Sequence, residues 1–392
     1  MTEADSSPRR PKPRLQPRHI RRFVDELFGD SIHARRVDSL ADGVTGVLHA
    51  ASLAIHAIGR GLAAAKGIHA KHTTKQLDRL LSNEGIALWR LFEQWVRFVV
   101  GERKEIVVAL DWTEFDADKQ ATICLYLVTS HGRATPVVWK SVEKATLEGK
   151  QNSYETEVID RLGTALPDDV KVTVLADRGF GDQKRYEHLS FIGWDYVIRF
   201  REGILITDVD GTTETATKWL AKTGRAKMMK GARVTDDKTE VPAVVLVHDK
   251  RMKGAWCLAT SRTDLGAPDV AKLYGRRFTI EETFRDAKDL HFGMGLSATH
   301  IRSTERRDRL LLLGAIAHAL LTLLGAAGER CGLDRTLKVN TVKRRTLSLY
   351  KQGCFWYDAI PAMPDERLVA LMTAYDQCVR EQALLREIFG LL

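Results

Sequence analysis

Cysteine is scarce in this chain. Five occur among 392 residues, an odd number, and they are Cys124, Cys257, Cys331, Cys354 and Cys378. No two of them have the close spacing of a zinc-binding pair, which argues against a zinc site. We therefore expect reduced thiols in a cytoplasmic protein. Because no apolar run follows the basic first residues, we expect no secretory signal peptide.

Long apolar runs are also rare. A single run approaches the length of a membrane span, LLLLGAIAHALLTLLGAAG at 310–328, and His318 and Thr322 interrupt it. A transmembrane helix and a buried core helix are both compatible with this length. The polar interruptions, and the lack of a second such run, favour the buried helix. We therefore predict no membrane partner.

Acidic residues are outnumbered by basic ones. The chain has 60 Lys and Arg against 51 Asp and Glu, which gives a formal net charge of +9. A basic excess of this size indicates a polyanionic partner, most commonly nucleic acid; a basic surface that serves solubility is the alternative. The hydrophobic content of 44% is ordinary for a globular protein, and the length allows two or three domains.

The first hundred residues divide into a polar arm and a helical region. Residues 1–17 are rich in Pro, Arg, Lys and Ser, which predicts a disordered basic arm. Residues 18–100 show helical periodicity and are predicted to form a DNA-binding domain. Within them Lys71 and Lys75 follow a turn, where they could contact DNA phosphates; a solvated helix start is the alternative.

The pattern changes near residue 101. Over 101–200, β-branched runs and amphipathic stretches follow the order β-β-β-α-β-α-β, which predicts an α/β fold with a mixed sheet and flanking helices. Residues 201–262 have short strands and glycine turns and are predicted to be a β-rich insertion. Helical periodicity returns over 263–330, the second part of the core, and 331–392 is a helical C-terminal region.

Two aspartates follow buried strands. Asp111 comes after the apolar run IVVAL, and Asp177 comes after VTVLA. Active groups gather beyond strand ends in sheets of this kind, and two carboxylates placed there repel each other unless a cation lies between them. Mg²⁺ prefers such oxygen ligands. The alternative is that each aspartate merely caps a turn.

The segment YGRRFTIEETFRDAK, residues 274–288, is densely charged. At about 100° per residue on one helix, a single stripe collects five side chains. They are Tyr274, Arg277, Glu281, Arg285 and Lys288. The neighbouring Glu282 falls off that stripe, and an apolar face borders it. A functional stripe and an exposed set of i,i+4 salt bridges both remain open from this geometry.

The same segment resembles a known family. Tyr274, Arg277, Glu281 and Lys288 have the spacing of the YREK signature of bacterial insertion-sequence transposases of the "IS four" family. LDWTEF and LADRGF look like that family's two aspartate motifs, and the order Asp, Asp, Glu matches its DDE triad. The resemblance covers about 20–330 and implies an RNase H-like fold interrupted by a β-strand insertion.

The resemblance also implies roles for individual residues. Asp111, Asp177 and Glu281 would bind two Mg²⁺ ions, which Mn²⁺ could replace. Tyr274, Arg277 and Lys288 would hold DNA phosphates, and geometry adds Arg285 to this set. Trp256 would stack on a flipped base, with packing within the insertion as its alternative. Where some relatives have a second tryptophan, this chain has Phe278.

The implied activity is cut-and-paste transposition. The protein would bind the inverted repeats of double-stranded transposon ends, cleave them and join the 3′ ends to target DNA. The resemblance implies that cleavage passes through a DNA hairpin. A homodimer would hold two ends together, in the cytoplasm at the bacterial nucleoid. Two alternatives remain: a DNA-binding regulator with a vestigial catalytic centre, and a non-mobile RNase H-like nuclease.

Overall fold

The computed structural model describes residues 17–289, 293–339 and 341–380. The predicted basic arm therefore lies outside the described residues except for Pro17, where the first helix begins.

The N-terminal region consists of five helices. They are α1 (Pro17–Phe28), α2 (Ala34–Ala50), α3 (Ile55–Lys66), α4 (Ala70–Leu81) and α5 (Leu88–Val100). Each is amphipathic and packs its apolar side inward, as α1 does with Phe23 and Phe28. Helices α3 and α4 approach closely at Gly59, where an added methyl group would collide with Thr74. This close packing fixes the direction of α4.

Ten strands form one mixed sheet. They are β1 (Glu105–Phe115), β2 (Gln120–Leu127), β3 (Thr135–Glu143), β4 (Lys171–Ala176), β5 (Asp195–Phe200), β6 (Leu205–Thr207), β7 (Thr213–Thr215), β8 (Lys227–Val234), β9 (Thr239–Val247) and β10 (Trp256–Thr260). Their order is β3-β2-β1-β4-β5-β10-β9-β8-β6-β7. Strands β1, β4 and β5 run parallel, and the other pairings are antiparallel.

The segment predicted to be an insertion continues this sheet. Strand β10 pairs antiparallel with β5, with Cys257 opposite Phe200, and β9, β8, β6 and β7 extend the sheet outward. Strand β10 is buried from Cys257 onward, so the junction lies in the core. The division of the chain into domains stays a prediction.

Seven further helices follow in the described part of the chain. They are α6 (Gln151–Ala165), α7 (Gln183–Phe191), α8 (Ala267–Gly275), α9 (Thr279–Lys288), α10 (Thr304–Arg330), α11 (Leu349–Ala359) and α12 (Asp365–Arg380). Helices α11 and α12 pack against α10. Together with the sheet they form the RNase H-like α/β fold that the sequence predicts, with helical N- and C-terminal regions.

The apolar run at 310–328 lies within α10. In the described part of the chain, α10 alone is long and apolar enough to cross a membrane, and α2 with α3 would qualify only as a pair bent by 97°. As predicted, most of α10 is buried inside the protein: 94% of its most apolar segment is shielded from solvent. It packs against α2, α4, β3, α11 and α12. Gly353 lets α11 lie directly on the backbone of α10 at Leu321.

Candidate active site

The first two acids lie side by side on the central parallel strands. The pairing of β1 with β4 ends at Leu110 and Ala176, so Asp111 and Asp177 each follow the last paired residue. Strand β1 does not end at Asp111, because it continues to Phe115 through its pairing with β2. The two aspartates therefore emerge at the same edge, where the pairing of the parallel strands ends.

The charged segment 274–288 is not one continuous helix. Helix α8 ends at Gly275, a turn of 3₁₀-helix covers Arg276–Phe278, and α9 begins at Thr279. The change in winding shifts the angular positions that one uniform helix predicts. Even so, Ile280 is fully buried, and Phe284 and Ala287 pack against the core, so the apolar side of α9 faces inward.

Arg277 connects two of the acids. Its Nη1 donates to Asp111 Oδ2 and its Nη2 donates to Glu281 Oε1, both at 3.1 Å. Only 6% of Arg277 is exposed. The strand and the helix are thus joined by one buried guanidinium between two carboxylates.

The carboxylates also influence one another. The pKa of Asp111 is raised to about 6, chiefly by burial; the charge of Arg277 opposes this shift, and the negative charges of Asp177 and Glu281 contribute to it. The Asp177 carboxylate is oriented by its own turn, because its Oδ1 accepts a hydrogen bond from the Gly179 N–H at 2.8 Å. Three acids from distant parts of the chain therefore form one electrostatic cluster.

Aromatic rings line the side of the cluster near Arg277. The Tyr274 ring is 1% exposed, and its centroid lies 5.0 Å from that of Trp256. Trp256 also lies 5.9 Å from Phe278, which is 41% exposed. The guanidinium carbon of Arg277 is 5.1 Å from the Phe278 centroid. Tyr274 and Phe278 therefore lie beside Arg277, and Trp256 packs against both of these rings.

Lys288 lies at the far end of β1. Its Nζ donates to Thr113 Oγ1 at 3.1 Å and to the Glu114 carbonyl at 2.8 Å. It also lies 5.0 Å from the Phe115 ring centroid. Burial lowers its pKa, although nearby carboxylates oppose the shift. Its partners on β1 are residues that the sequence analysis did not single out.

The remaining predicted residues lie outside the cluster. Arg285 is 62% exposed and pairs with Glu282 at 3.0 Å, so its side chain turns toward solvent. Lys71 and Lys75 are exposed on α4 in the N-terminal helices. The structure thus brings together Asp111, Asp177, Glu281, Tyr274, Arg277 and Trp256.

A buried ion pair that the sequence analysis missed supports both aspartates. Glu155 on α6 accepts from Trp112 Nε1 at 2.8 Å and from Arg185 Nη2 at 2.8 Å. The Glu155 and Arg185 side chains are 1% and 3% exposed. Trp112 follows Asp111, and α7, which carries Arg185, follows the Asp177 turn. No local pattern could reveal this link, because its members lie at least 30 positions apart.

The donor chemistry of the cluster suits a hard divalent cation. Three carboxylates supply the oxygen ligands that Mg²⁺ prefers, and a cation, the Arg277 guanidinium, already lies between two of them. Among the described residues, no three His, Cys, Asp or Glu side chains converge closely enough to hold a metal as they stand. The residues therefore fit the ion by the chemistry of their oxygen atoms, and ligation would require the side chains to move closer together.

The cluster falls within a known domain. A family model described as "Transposase DDE domain" matches residues 102–320, more than half of the chain. The matched range contains all three acids and Arg277. No curated protein matches the chain.

Proposed function

This chain belongs to the transposase DDE domain family, and we propose that it is a cut-and-paste transposase with Asp111, Asp177 and Glu281 as its catalytic acids. The observation that supports this most directly is the bridge that Arg277 makes between Asp111 and Glu281, with the charge of Asp177 acting on Asp111 from the neighbouring strand. DDE transposases act on DNA and generally use divalent metals. We propose two Mg²⁺ ions here, with Mn²⁺ as a substitute.

The bound ions would supply charge neutralisation and an activated oxygen nucleophile for displacement at phosphorus. The protein's own residues would position the reactants. Asp111 and Asp177 project from adjacent strands, and Glu281 from α9, so they approach the reacting phosphate from different directions. The buried Glu155–Arg185 pair would keep the two strand ends at a fixed separation.

We assign the chain to the subgroup with the YREK signature, the "IS four" family. Tyr274, Arg277 and Lys288 would hold phosphates near the cut end, with Arg285 at the rim. The aromatic group beside Arg277 supports a stacking role for Trp256, with the exposed Phe278 in the position of a second ring. Such stacking would accompany a hairpin on the transposon end.

The N-terminal helices would bind the inverted repeats. Helices α3 and α4 are joined by a turn that begins at Gly67, whose positive φ of 66° ends α3. Two helices joined by so short a turn are typical of helix-turn-helix units. Lys71 and Lys75 are exposed on the second helix, where they could contact phosphates. The C-terminal region 331–392 would form the homodimer contact, and the protein would act at the bacterial nucleoid.

The decisive experiment uses the DNA that flanks the gene, which would contain inverted repeats bracketed by short direct duplications. Purified protein is incubated with such ends, Mg²⁺ and a target plasmid, and nicking and joining are both measured. Asp111→Asn and Glu281→Gln should reduce cleavage on the order of 10²–10³-fold while leaving end binding intact. Glu282→Gln, one position away and paired with Arg285, is the matched control and should cleave normally.

Each alternative function has its own result in this assay. Cleavage by Asp111→Asn at the wild-type rate would disprove the assignment of the acids. Mg²⁺-dependent nicking without joining would indicate a nuclease that is not mobile. End binding without nicking would indicate a regulator whose catalytic centre is vestigial.

A further inference from the structure

Arg277 holds an unusual position for a residue expected to bind phosphate. Both of its Nη atoms are engaged by carboxylates of the acidic cluster, Asp111 and Glu281. Its Nε makes no hydrogen bond within the described residues. Both Nη atoms of the guanidinium are therefore bonded to the acids, and its Nε is left without a hydrogen-bond partner among the described residues.

A metal ion would bind the same carboxylate groups. The carboxylates that accept from Arg277 are those proposed as metal ligands, and each oxygen lies 3.1 Å from a guanidinium nitrogen. Two cations at one small acidic site repel each other, and neither can use the shared lone pairs fully. Arg277 and a divalent metal are therefore expected to bind there at each other's expense.

The other basic residues of this segment do not have this geometry. Arg285 pairs with Glu282 and is 62% exposed. Lys288 donates to Thr113 and to the Glu114 carbonyl. Within the described residues, Arg277 is the basic side chain that bridges two members of the acidic cluster.

We propose that Arg277 is the resident cation of the acidic site and competes with the divalent metal for Asp111 and Glu281. Metal then binds tightly only when the guanidinium has released a carboxylate. A DNA phosphate is the kind of acceptor that would draw it away, because Arg binds phosphate with a planar fork. This inference rests on the proposed function, since it takes these carboxylates as metal ligands.

The test measures Mn²⁺ binding to the full-length protein without DNA. Electron paramagnetic resonance of free Mn²⁺ gives the affinity directly and does not depend on activity. Arg277→Gln should bind Mn²⁺ at least about fivefold more tightly than the wild type, the lower end of typical couplings between two ligands. Arg285→Gln removes the same charge from α9 away from the acids and should leave the affinity unchanged. Equal or weaker binding by Arg277→Gln would overturn the proposal.

A second variant covers the case in which Arg277→Gln does not fold. Arg277→Lys keeps the charge, but a single ammonium group lacks the fork that engages both carboxylates together. It should therefore also bind Mn²⁺ more tightly than the wild type, and it should gain more thermal stability from Mn²⁺. Affinity at or below the wild-type value would again overturn the proposal.

Asp111→Asn separates this inference from the proposed function. If it binds Mn²⁺ as the wild type does, the assignment of the metal ligands fails. If it loses Mn²⁺ while the Arg277 variants gain nothing, the ligands stand and only the competition is disproved.

Discussion

Glu281 and Glu282 are adjacent in sequence but have different partners. Glu281 binds Arg277 at the acidic cluster, whereas Glu282 pairs with Arg285 at 3.0 Å and lies 3.8 Å from Arg133. Successive residues on a helix point about 100° apart, and that offset gives the two carboxylates different arginine partners. It does not make Glu282 the more exposed of the two, because the Glu281 side chain is 51% exposed and that of Glu282 39%. The assignment of Glu281 as the functional acid stays a prediction.

Arg285 provides a residue-scale prediction. Because it is 62% exposed, it can leave Glu282 for a DNA phosphate at little cost. Arg285→Ala should weaken binding of a transposon end and flatten the salt dependence of log K by about one unit, without removing metal binding. Titrations at several salt concentrations check this. An unchanged end affinity would show that Arg285 serves only as a salt-bridge partner.

The second partner of Arg277 could not be predicted. Its contact with Glu281 spans one helical turn and follows from spacing. Its contact with Asp111 joins residues 166 positions apart and depends on how the sheet places β1 beside α9. The sequence therefore predicted which residues are candidates for the site. The hydrogen bond between Arg277 and Asp111 could be found only in the tertiary structure.

At the scale of elements, Glu155 on α6 links Trp112 of β1 to Arg185 of α7. Glu155→Gln would leave the Arg185 guanidinium buried without a counter-charge, which typically costs about 3–5 kcal/mol. Chemical denaturation should show a loss of this size. Glu157→Gln on the same helix is the control: Glu157 is 40% exposed, its pair with Lys140 is a surface pair, and the loss should stay within about 1 kcal/mol. Equal losses would mean that burial of the pair contributes nothing.

Helix α10 carries a buried histidine that should make the protein sensitive to acid. Burial lowers the pKa of His318 to about 4; Asp286 opposes this shift, and Arg133 and Lys351 add to it. Between about pH 6.5 and 4 the unfolded chain binds a proton that the folded protein excludes, so stability falls as pH falls through this window.

His318→Phe should remove this part of the acid sensitivity while keeping the ring stack on Tyr350, whose centroid is 4.4 Å away. Unfolding free energies at pH 7 and pH 4.5 would be compared for both proteins. The drop should be smaller in the variant, by on the order of 2 kcal/mol. His131, whose pKa burial lowers to about 3, should account for part of the sensitivity that remains. An equal drop in both proteins would contradict the prediction.

The secondary-structure elements were easier to predict than the contacts between them. Apolar alternation and β-branched runs located most of the strands, because these signals are local. The uniform helix over 274–288 was wrong, since the 3₁₀ turn at Arg276–Phe278 interrupts it. The spacing of charged and apolar residues does not show where an α-helix changes to a 3₁₀ turn.

At the scale of the whole molecule, the sheet runs without a break from β3 to β7. The sequence predicted the strands of 201–262 but not their pairing. Strand β10 pairs with β5, and that pairing depends on which edge strand of the first five is free to accept another strand. Because Trp256 begins β10, this pairing places it beside Tyr274 and Phe278, the two rings next to Arg277.

The net charge of +9 gives a prediction about DNA affinity. Replacing Lys71 and Lys75 together by alanine should weaken DNA binding for all sequences and flatten the slope of log K against log salt by about two units, close to one per phosphate contact. Lys66→Ala is the matched control, because Lys66 is already paired with Asp42 at 2.6 Å. A slope that the double variant leaves unchanged would place the DNA contacts elsewhere.

The placement of α10 affects how the protein matures during translation. This helix packs against N-terminal helices and against β3, yet it follows all three acids in the chain. A ribosome extends the chain from its N-terminus at about 5–20 residues per second, so the early helices wait on the order of 10–50 seconds for the support that α10 gives them. Neither the N-terminal helices nor the acidic cluster can be fully consolidated before then. The two parts of the protein should therefore become stable together, late in synthesis.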